Sequence, residues 1–586
     1  MKIQTEWNLR LLYKNGKDPR IEKDLNAIEK AFVVFEKKYK GKDFTSTSQK
    51  LLKALQDSES LEETLQGLRP WWYFALRNDL NSDDKEAGSK ATVNNERLTK
   101  ARNKVSFFSL EIGKIPATKQ AQYLKSHIFK SYKYLLKTIF DESKYKLTEK
   151  EEQLASLLTH TSYTSWKNGQ SKLLSQQTVK FKGKNIPVDE ASSMIADLPR
   201  KDRQALHGAV NKTLLNISHF AESEINAIYN FKKIMDERRG YKKPYSSTIL
   251  SYENDEKTIG NLIDLVTKNF TISHRFYKIH AKLLKEKKLT LADRAVSIGK
   301  IKKKFNFATA TGIVKRAFAK VDFKYVEIFD SFLQNGQIDV YPKKGKKGGA
   351  YSWGSQSNPT FILLNHIDNI RWVETLAHEM GHSFHTHMSK SQPLHYQGYS
   401  TATAEVASTF FEQIATAELE SELSEGEYLI LLHNKIKGDI STIFRQIAFF
   451  NFENELHQRI RKEGELPKEE IAKLMSKHLR SYLGSSVEVT DEDGYFFVHI
   501  GHIRRFFYVY SYAYGQLISR ALFEKWKADP SYSKKIEQFL SAGGSMSPKD
   551  IFKSIGIDTS DPKFFATGLK AIEKDIEKLE KLSKKV

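Results

Sequence analysis

TLAHEMGHSFH, at positions 375–385, is the most informative segment of this chain, because it contains the pattern H-E-x-x-H. The apolar residues around the pattern recur at helical spacing: Val373, Leu376, Ala377, Met380 and Phe384. Residues four apart on a helix lie on one face, so His378 and His382 can reach the same metal ion. Glu379 is turned about 100° from His378, which suits a base acting on a metal-activated water better than a third ligand.

A third ligand is expected downstream, in AEVASTFFE at positions 404–412. Catalytic zinc sites use three protein ligands and keep one position open. The longer pattern H-E-x-x-H-x-x-G-x-x-H does not fit, because position 385 is His and position 388 is Met. Glu405 and Glu412 are seven residues apart and share a helix face. We expect Glu405 to bind the metal and Glu412 to orient a ligand histidine.

The chain has no cysteine, so only histidine and carboxylate ligands could hold zinc. These observations predict one Zn²⁺ ion per chain, bound by His378, His382 and Glu405. Zinc acidifies water, and the carboxylate of Glu379 would accept the proton and later pass a proton to a leaving amine. The hypothesis is therefore a zinc-dependent peptidase with Glu379 as its general base.

Helical periodicity dominates the rest of the chain and predicts a mainly α fold. Long amphipathic segments are expected near residues 21–35, 124–137, 203–235, 259–284 and 428–461. Two short strands are predicted at QIDVYP (337–342) and TFILLN (360–365), on either side of a Gly/Lys/Ser-rich loop. The fold class is thus mainly α, with a small β-sheet beside the zinc-binding helix. A division near residue 195 predicts an N-terminal helical part, 1–195, and a catalytic part, 196–586.

The composition limits the location and the partners of the chain. No long apolar run and no secretory signal are present, so no membrane association and a cytoplasmic location are expected. The net charge is +23, but the lysines are spread along the chain without a nucleic-acid-binding motif. We therefore expect short peptide substrates and no nucleic acid.

The Gly/Lys/Ser-rich loop contains Gly348, Gly349, Ala350 and Tyr351. Glycine permits close backbone approach, so these four residues could lay an extended peptide along a sheet edge. The alternative is a flexible, lysine-rich surface loop. Four lysines of the loop could favour acidic peptides: Lys343, Lys344, Lys346 and Lys347.

Several segments in the same order resemble oligoendopeptidase F, a bacterial member of the thimet oligopeptidase group. They are WNLRLLYK (7–14), ERRGY (237–241), GKKGGAYSWG (345–354), the two metal-site segments above and HIRRFFYVYSYAYG (502–515). The resemblance covers nearly the whole chain. It implies two helical lobes that enclose a deep channel, and cleavage of internal bonds in short unstructured peptides. It also implies the same metal ligands and the same base.

The last of these segments is rich in tyrosine, and by itself it indicates a packed aromatic helix. The resemblance instead implies that His502 and Tyr510, with Tyr508 third, stabilise the negative oxygen of the reaction intermediate. His499 is a second candidate for the histidine. The segment departs from the family pattern at Arg504 and Arg505.

Two alternatives to the peptidase hypothesis come from other classes. One is a catalytically silent peptide-binding protein of the same fold, in which the zinc motif should be broken. The other is a basic nucleic-acid-binding protein with an accidental H-E-x-x-H, which should bind nucleic acid in a salt-dependent manner.

Overall fold

The computed structural model describes residues 3–65, 68–355 and 357–585. Helices make up 71% of the structure and strands 3%. The predicted mainly α class is therefore confirmed. None of the described helices is long and apolar enough to cross a membrane.

The chain forms two compact units, and each unit is assembled from separate stretches of sequence. Unit 1 comprises residues 1–144, 303–422 and 525–557. Its α-helices are Arg20–Tyr39, Ser48–Leu65, Arg69–Leu80, Lys85–Asn103, Phe107–Gly113, Ala117–Lys125, Lys133–Ser143, Phe307–Val321, Phe323–Asn335, Ile370–Ser389, Thr401–Leu419, Ser533–Ser541 and Pro548–Ser554.

Unit 2 comprises residues 145–302, 423–524 and 558–586. Its α-helices are Glu149–Thr159, Ser165–Ser175, Val188–Met194, Arg200–Asn216, Ser218–Arg239, Ser246–Ser251, Glu256–Lys268, Phe270–Leu283, Glu425–Asp439, Arg445–Glu463, Lys468–Leu483 and Pro562–Leu582. The helix Tyr510–Ala528 begins in unit 2 and ends in unit 1. The division near residue 195, into 1–195 and 196–586, stays a prediction.

The amphipathic patterns become helices because one face of each segment is buried. In Arg20–Tyr39, for example, the buried positions are three or four residues apart: Ile21, Leu25, Ile28, Phe32 and Phe35. Three of the long predicted segments are interrupted, however. The helix from Arg200 ends at Asn216, the helix from Glu256 ends at Lys268, and 124–137 contains a 3₁₀ turn at His127–Tyr132.

A three-stranded sheet in unit 1 lies beside the helix that contains the H-E-x-x-H pattern. Ile338–Asp339 pairs in parallel with the central strand Phe361–Leu363, and Tyr351–Trp353 pairs antiparallel with its other side. The first two strands fall where the sequence predicts them. The third lies inside the segment predicted as a loop, which is a correction to that prediction.

Two further short pairings account for the described strands of unit 2. Thr178–Phe181 and Lys184–Pro187 form a hairpin, and Leu289–Thr290 pairs in parallel with Val487–Glu488. The hairpin follows the helix Ser165–Ser175, and the helical pattern of the sequence ends there.

Candidate metal centre

Two helices of unit 1 contain the predicted metal site, and a glycine brings them close together. The helix Ile370–Ser389 contains the H-E-x-x-H pattern, and Thr401–Leu419 contains the downstream glutamates. Gly381 lies against the second helix, where an added Cβ would be 2.6 Å from the Cα of Ser408. Real Cβ atoms do not approach other atoms so closely. Glycine is therefore required at position 381 for this helix spacing.

The close packing brings His378, His382 and Glu405 together. The Oε2 atom of Glu405 lies 3.6 Å from Nε2 of His378 and 3.9 Å from Nε2 of His382. One ligand atom from each residue lies within 4.8 Å of the other two. Ligand atoms about 2.0–2.2 Å from a tetrahedral zinc ion lie roughly 3.3–3.6 Å apart, so small side-chain adjustments suffice. Within the described part of the chain, no other group of three such side chains has this geometry.

Glu412 contacts the opposite nitrogen of the first histidine. Its Oε2 atom is 2.8 Å from Nδ1 of His378. A proton on Nδ1 would donate to this carboxylate and leave Nε2 free to bind a metal. Burial disfavours a charged imidazole, but the carboxylates of Glu412, Glu379 and Glu405 outweigh it and raise the pKa of His378 to about 9. Burial lowers the pKa of His382 well below its usual value.

The side chain of Glu379 is buried next to this cluster. Burial raises the pKa of Glu379 to about 7, against the opposing effects of His378 and of a hydrogen bond from the backbone N–H of Ser352. The hydroxyl groups of Ser352 and Ser383 are 2.9 Å apart. The edge strand Tyr351–Trp353 therefore contacts the H-E-x-x-H helix directly and orients its glutamate. The sequence alone does not indicate Ser352, because its contact with Glu379 depends on a strand that the sequence does not predict.

The loop before the edge strand is held by side chains. Asn365 donates to the carbonyl oxygens of Lys347 and Gly349, at 3.0 and 2.7 Å. The hydroxyl of Tyr351 donates to Asp79 at 2.7 Å. Gly348 and Gly349 are exposed, and Ala350 and Tyr351 are half-buried. The loop is thus fixed at several points, in contrast to the flexible alternative.

Three of the four lysines in this loop are paired with carboxylates. Lys346 is buried and donates to Asp339 at 2.7 Å and to the carbonyl of Tyr341. Lys343 pairs with Glu6 at 2.8 Å, and Lys347 pairs with Asp79 at 3.1 Å. These pairs weaken the idea that the loop attracts acidic peptides.

The C-terminal histidine and tyrosine candidates lie in unit 2. The ring of His502 stacks on Tyr508 at 5.6 Å, and its centroid is 6.1 Å from that of Tyr512. The hydroxyls of Tyr508 and Tyr512 are 3.5 Å apart. Burial lowers the pKa of His502, with further lowering by the charges of Arg445 and Arg505.

Tyr510 is not part of this group of His502, Tyr508 and Tyr512. Its side chain is fully buried, and its hydroxyl accepts a hydrogen bond from Asn254 at 3.1 Å. Tyr512 instead lies beside His502 and Tyr508, with ring centroids 6.1 and 5.7 Å away. His499 is half-buried and bonded to Asp189 at 2.8 Å.

Comparison with known proteins agrees with the resemblance found in the sequence. The sequence model of peptidase family M3 matches residues 203–571, and that of Oligopeptidase F matches residues 111–176. Oligopeptidase PepF of Bacillus subtilis is 26% identical over 100% of this chain and 88% of its own length. An oligoendopeptidase F homolog of Borreliella burgdorferi is 27% identical over 98% of each chain.

Solved structures share the fold over nearly the whole chain. A putative peptidase from Chlamydophila abortus superimposes with a TM-score of 0.88 at 23% identity, covering 99% of this chain and 98% of its own. Oligoendopeptidase-F from Enterococcus faecium gives a TM-score of 0.70 at 19% identity, covering 97% and 98%. The M3 match alone spans more than half of the 586 residues. The chain therefore belongs to peptidase family M3, as a metalloendopeptidase related to oligoendopeptidase F.

Proposed function

We propose that this protein hydrolyses internal bonds of short, unstructured oligopeptides with one zinc ion held by His378, His382 and Glu405. The observation that carries this proposal is the convergence of these three ligand atoms beside the buried Glu379. Two imidazoles and one carboxylate are a common ligand set for catalytic zinc, and three protein ligands leave a position open. Zinc in such a site supplies a Lewis acid that acidifies water and polarises a carbonyl group.

Glu379 is the proposed general base. Its carboxylate accepts a proton as the water oxygen bonds to the peptide carbonyl carbon, and it returns a proton to the nitrogen as the C–N bond breaks. Burial of the Glu379 side chain favours proton acceptance, because it raises the pKa of the carboxyl above its usual value. The N–H of Ser352 holds the carboxylate in place, and Glu412 holds the ring of His378.

His502 and Tyr508 are proposed to donate hydrogen bonds to the negative oxygen that forms during the reaction. Tyr510, the other tyrosine candidate, has a buried hydroxyl that is already bonded to Asn254. We therefore propose Tyr512 in its place, because it lies beside both His502 and Tyr508. These residues belong to unit 2, and their part in the reaction is tested by kinetics of their variants.

Substrate peptides are proposed to lie along the edge strand Tyr351–Trp353. Among the described strands, this strand pairs only with Phe361–Leu363, so its other edge could bind an extended chain, although the N–H of Ser352 already donates to Glu379. Gly348, Gly349 and Ala350 precede it and would let the peptide backbone approach closely. A cytoplasmic location and the absence of nucleic-acid partners remain predictions.

The decisive experiment is cleavage of a mixed pool of short unstructured peptides, followed by mass spectrometry. A folded protein serves as a control substrate, and parallel samples contain a chelator or a chelator followed by zinc. We expect internal cleavage that stops with chelator, returns with zinc and spares the folded protein. The absence of cleavage by folded, zinc-loaded protein would instead favour a silent peptide-binding protein, and salt-dependent nucleic-acid binding would favour the remaining alternative.

A further inference from the structure

The turn that contains His502 has an unusual backbone. His502–Arg504 forms a 3₁₀ turn, and a short loop connects it to the helix that begins at Tyr510. Two consecutive residues of this loop, Phe506 and Phe507, have φ values of 49° and 62°. Left-handed backbone at bulky residues is strained and persists only where surrounding contacts enforce it. The contacts around this turn must therefore supply that constraint.

Arg504 is the centre of these contacts. Its side chain is 4% exposed, and it binds the fully buried Glu224 at 2.7 Å. Its Nε atom also donates to the same carboxylate, at 2.9 Å. Its Nη1 atom donates to the carbonyl oxygens of Phe497 and Ile500, at 2.9 and 2.8 Å. The guanidinium group thus joins a helix of unit 2 to the backbone on the N-terminal side of His502.

The backbone of the turn is bonded at four further points. The hydroxyls of Tyr163 and Tyr229 donate to the carbonyls of Arg504 and Ile503, at 2.6 and 3.1 Å. Thr248 donates to the carbonyl of Phe506 at 2.8 Å. The N–H of Phe507 donates to the buried carboxylate of Glu453 at 2.9 Å. All of these groups lie in unit 2.

We propose that Arg504 and Glu224 are positioning residues, whose buried ion pair fixes the turn that orients His502 beside Tyr508 and Tyr512. This inference rests on the proposed role of His502 in turnover. An isolated ion pair is a weak source of stability once its desolvation is counted, so a structural benefit alone gives little reason for it. A bidentate arginine–carboxylate pair does fix the positions of the groups that it joins. A catalytic histidine needs such a fixed position.

The test replaces both partners, because removing one would leave an unpaired buried charge and could unfold the protein. The double variant Arg504→Met/Glu224→Gln removes the ion pair without that charge. A matched control is Arg203→Met/Asp293→Asn, because Arg203 and Asp293 form another buried pair in unit 2, at 2.7 Å. Circular dichroism confirms folding and elemental analysis gives zinc content. Both pair variants are measured with His502 intact and with His502→Ala.

With His502 intact, we expect the Arg504/Glu224 variant to keep its zinc and to lose about 10–100-fold in kcat, with little change in KM. The control pair should leave kcat unchanged. In the His502→Ala background, the Arg504/Glu224 substitution should have no further effect on kcat. Recovery of kcat in the pair-preserving variant Glu224→Asp would add support.

Three results would overturn the inference. An unchanged kcat in the Arg504/Glu224 variant, or an equal loss in the His502→Ala background, would show that the pair does not act through His502. If His502→Ala itself left kcat unchanged, the proposed role of His502 would fail, and this inference with it. The chelator and Glu379 experiments would still test the zinc chemistry separately.

Discussion

The Cα atom of Ser408 lies so close to Gly381 that a Cβ added to the glycine would be only 2.6 Å away. This approach sets the distance between the two histidines on one helix and Glu405 on the other. The geometry of the metal centre is therefore determined by helix packing as well as by the ligands themselves.

Gly381→Ala should push the two helices apart. We expect the free energy of unfolding to fall by about 1–3 kcal/mol and zinc to bind more weakly, because the ligand atoms separate. Thermal unfolding with and without zinc, together with competition for zinc by a fluorescent chelator, measures both effects. Gly312→Ala is the matched control, since a Cβ at this helical glycine would meet nothing within 4 Å. Equal zinc affinity in both variants would contradict the argument.

Glu379→Gln should keep the metal and lose turnover. The amide preserves the size of the side chain but cannot accept the proton, so we expect kcat to fall by about 10²–10⁴-fold. Zinc content should remain one ion per chain by elemental analysis. Glu374→Gln, on the same helix, is the control and should retain activity. Substantial turnover by the Glu379 variant would require a different base.

Glu405 and Glu412 should differ in how strongly they affect metal binding. Glu405→Ala removes a ligand, and we expect the purified protein to contain no zinc. Glu412→Ala removes only the carboxylate that holds His378, which should weaken zinc affinity by about 10–100-fold. Competition titrations with chelators of graded affinity separate the two cases. Full zinc occupancy of the Glu405 variant would place the third ligand elsewhere.

A buried histidine pair in unit 2 should make the protein less stable in acid. Nδ1 of His280 is 2.9 Å from Nε2 of His433, and burial lowers the pKa of His280 to about 4 and that of His433 well below its usual value. Between about pH 6.5 and 4 the unfolded chain binds protons that the folded protein does not, so stability is lost as the pH falls. The shift of His280 alone corresponds to about 3 kcal/mol.

Chemical denaturation at several pH values between 4 and 7 tests this prediction. His433→Gln should flatten the pH dependence of the unfolding free energy, because one of the two buried imidazoles is then missing. His219→Gln changes an exposed histidine and should leave the dependence unaltered. An identical slope in the native protein and the His433 variant would mean that other groups cause the loss of stability.

The candidate metal ligands could be identified in the sequence because their spacing patterns are local. His378 and His382 are one helical turn apart, and Glu405 and Glu412 are two turns apart, so helix geometry alone places them on shared faces. The edge strand Tyr351–Trp353 could not be predicted in the same way. It is three residues long, it follows two glycines, and it exists only because it pairs with Phe361–Leu363.

The position of each C-terminal tyrosine relative to His502 could not be predicted from the sequence, for a related reason. Residues 508–514 read YVYSYAY, and this alternation is compatible with several of the tyrosines facing the same side. Because the helix begins at Tyr510, the alternating tyrosines point in different directions. Tyr512 is brought to His502, while the hydroxyl of Tyr510 is turned toward Asn254.

The paired lysines of the glycine-rich loop bear on substrate selection. The chain has a net charge of +23, and four lysines of this loop contribute to that total. Yet Lys343, Lys346 and Lys347 each face a carboxylate of the same unit. The charges of these three lysines are therefore balanced beside the strand edge at which a peptide would arrive. Discrimination between acidic and basic peptides would then depend on side-chain pockets elsewhere, and overall charge would be a poor guide to the sequences that are cleaved.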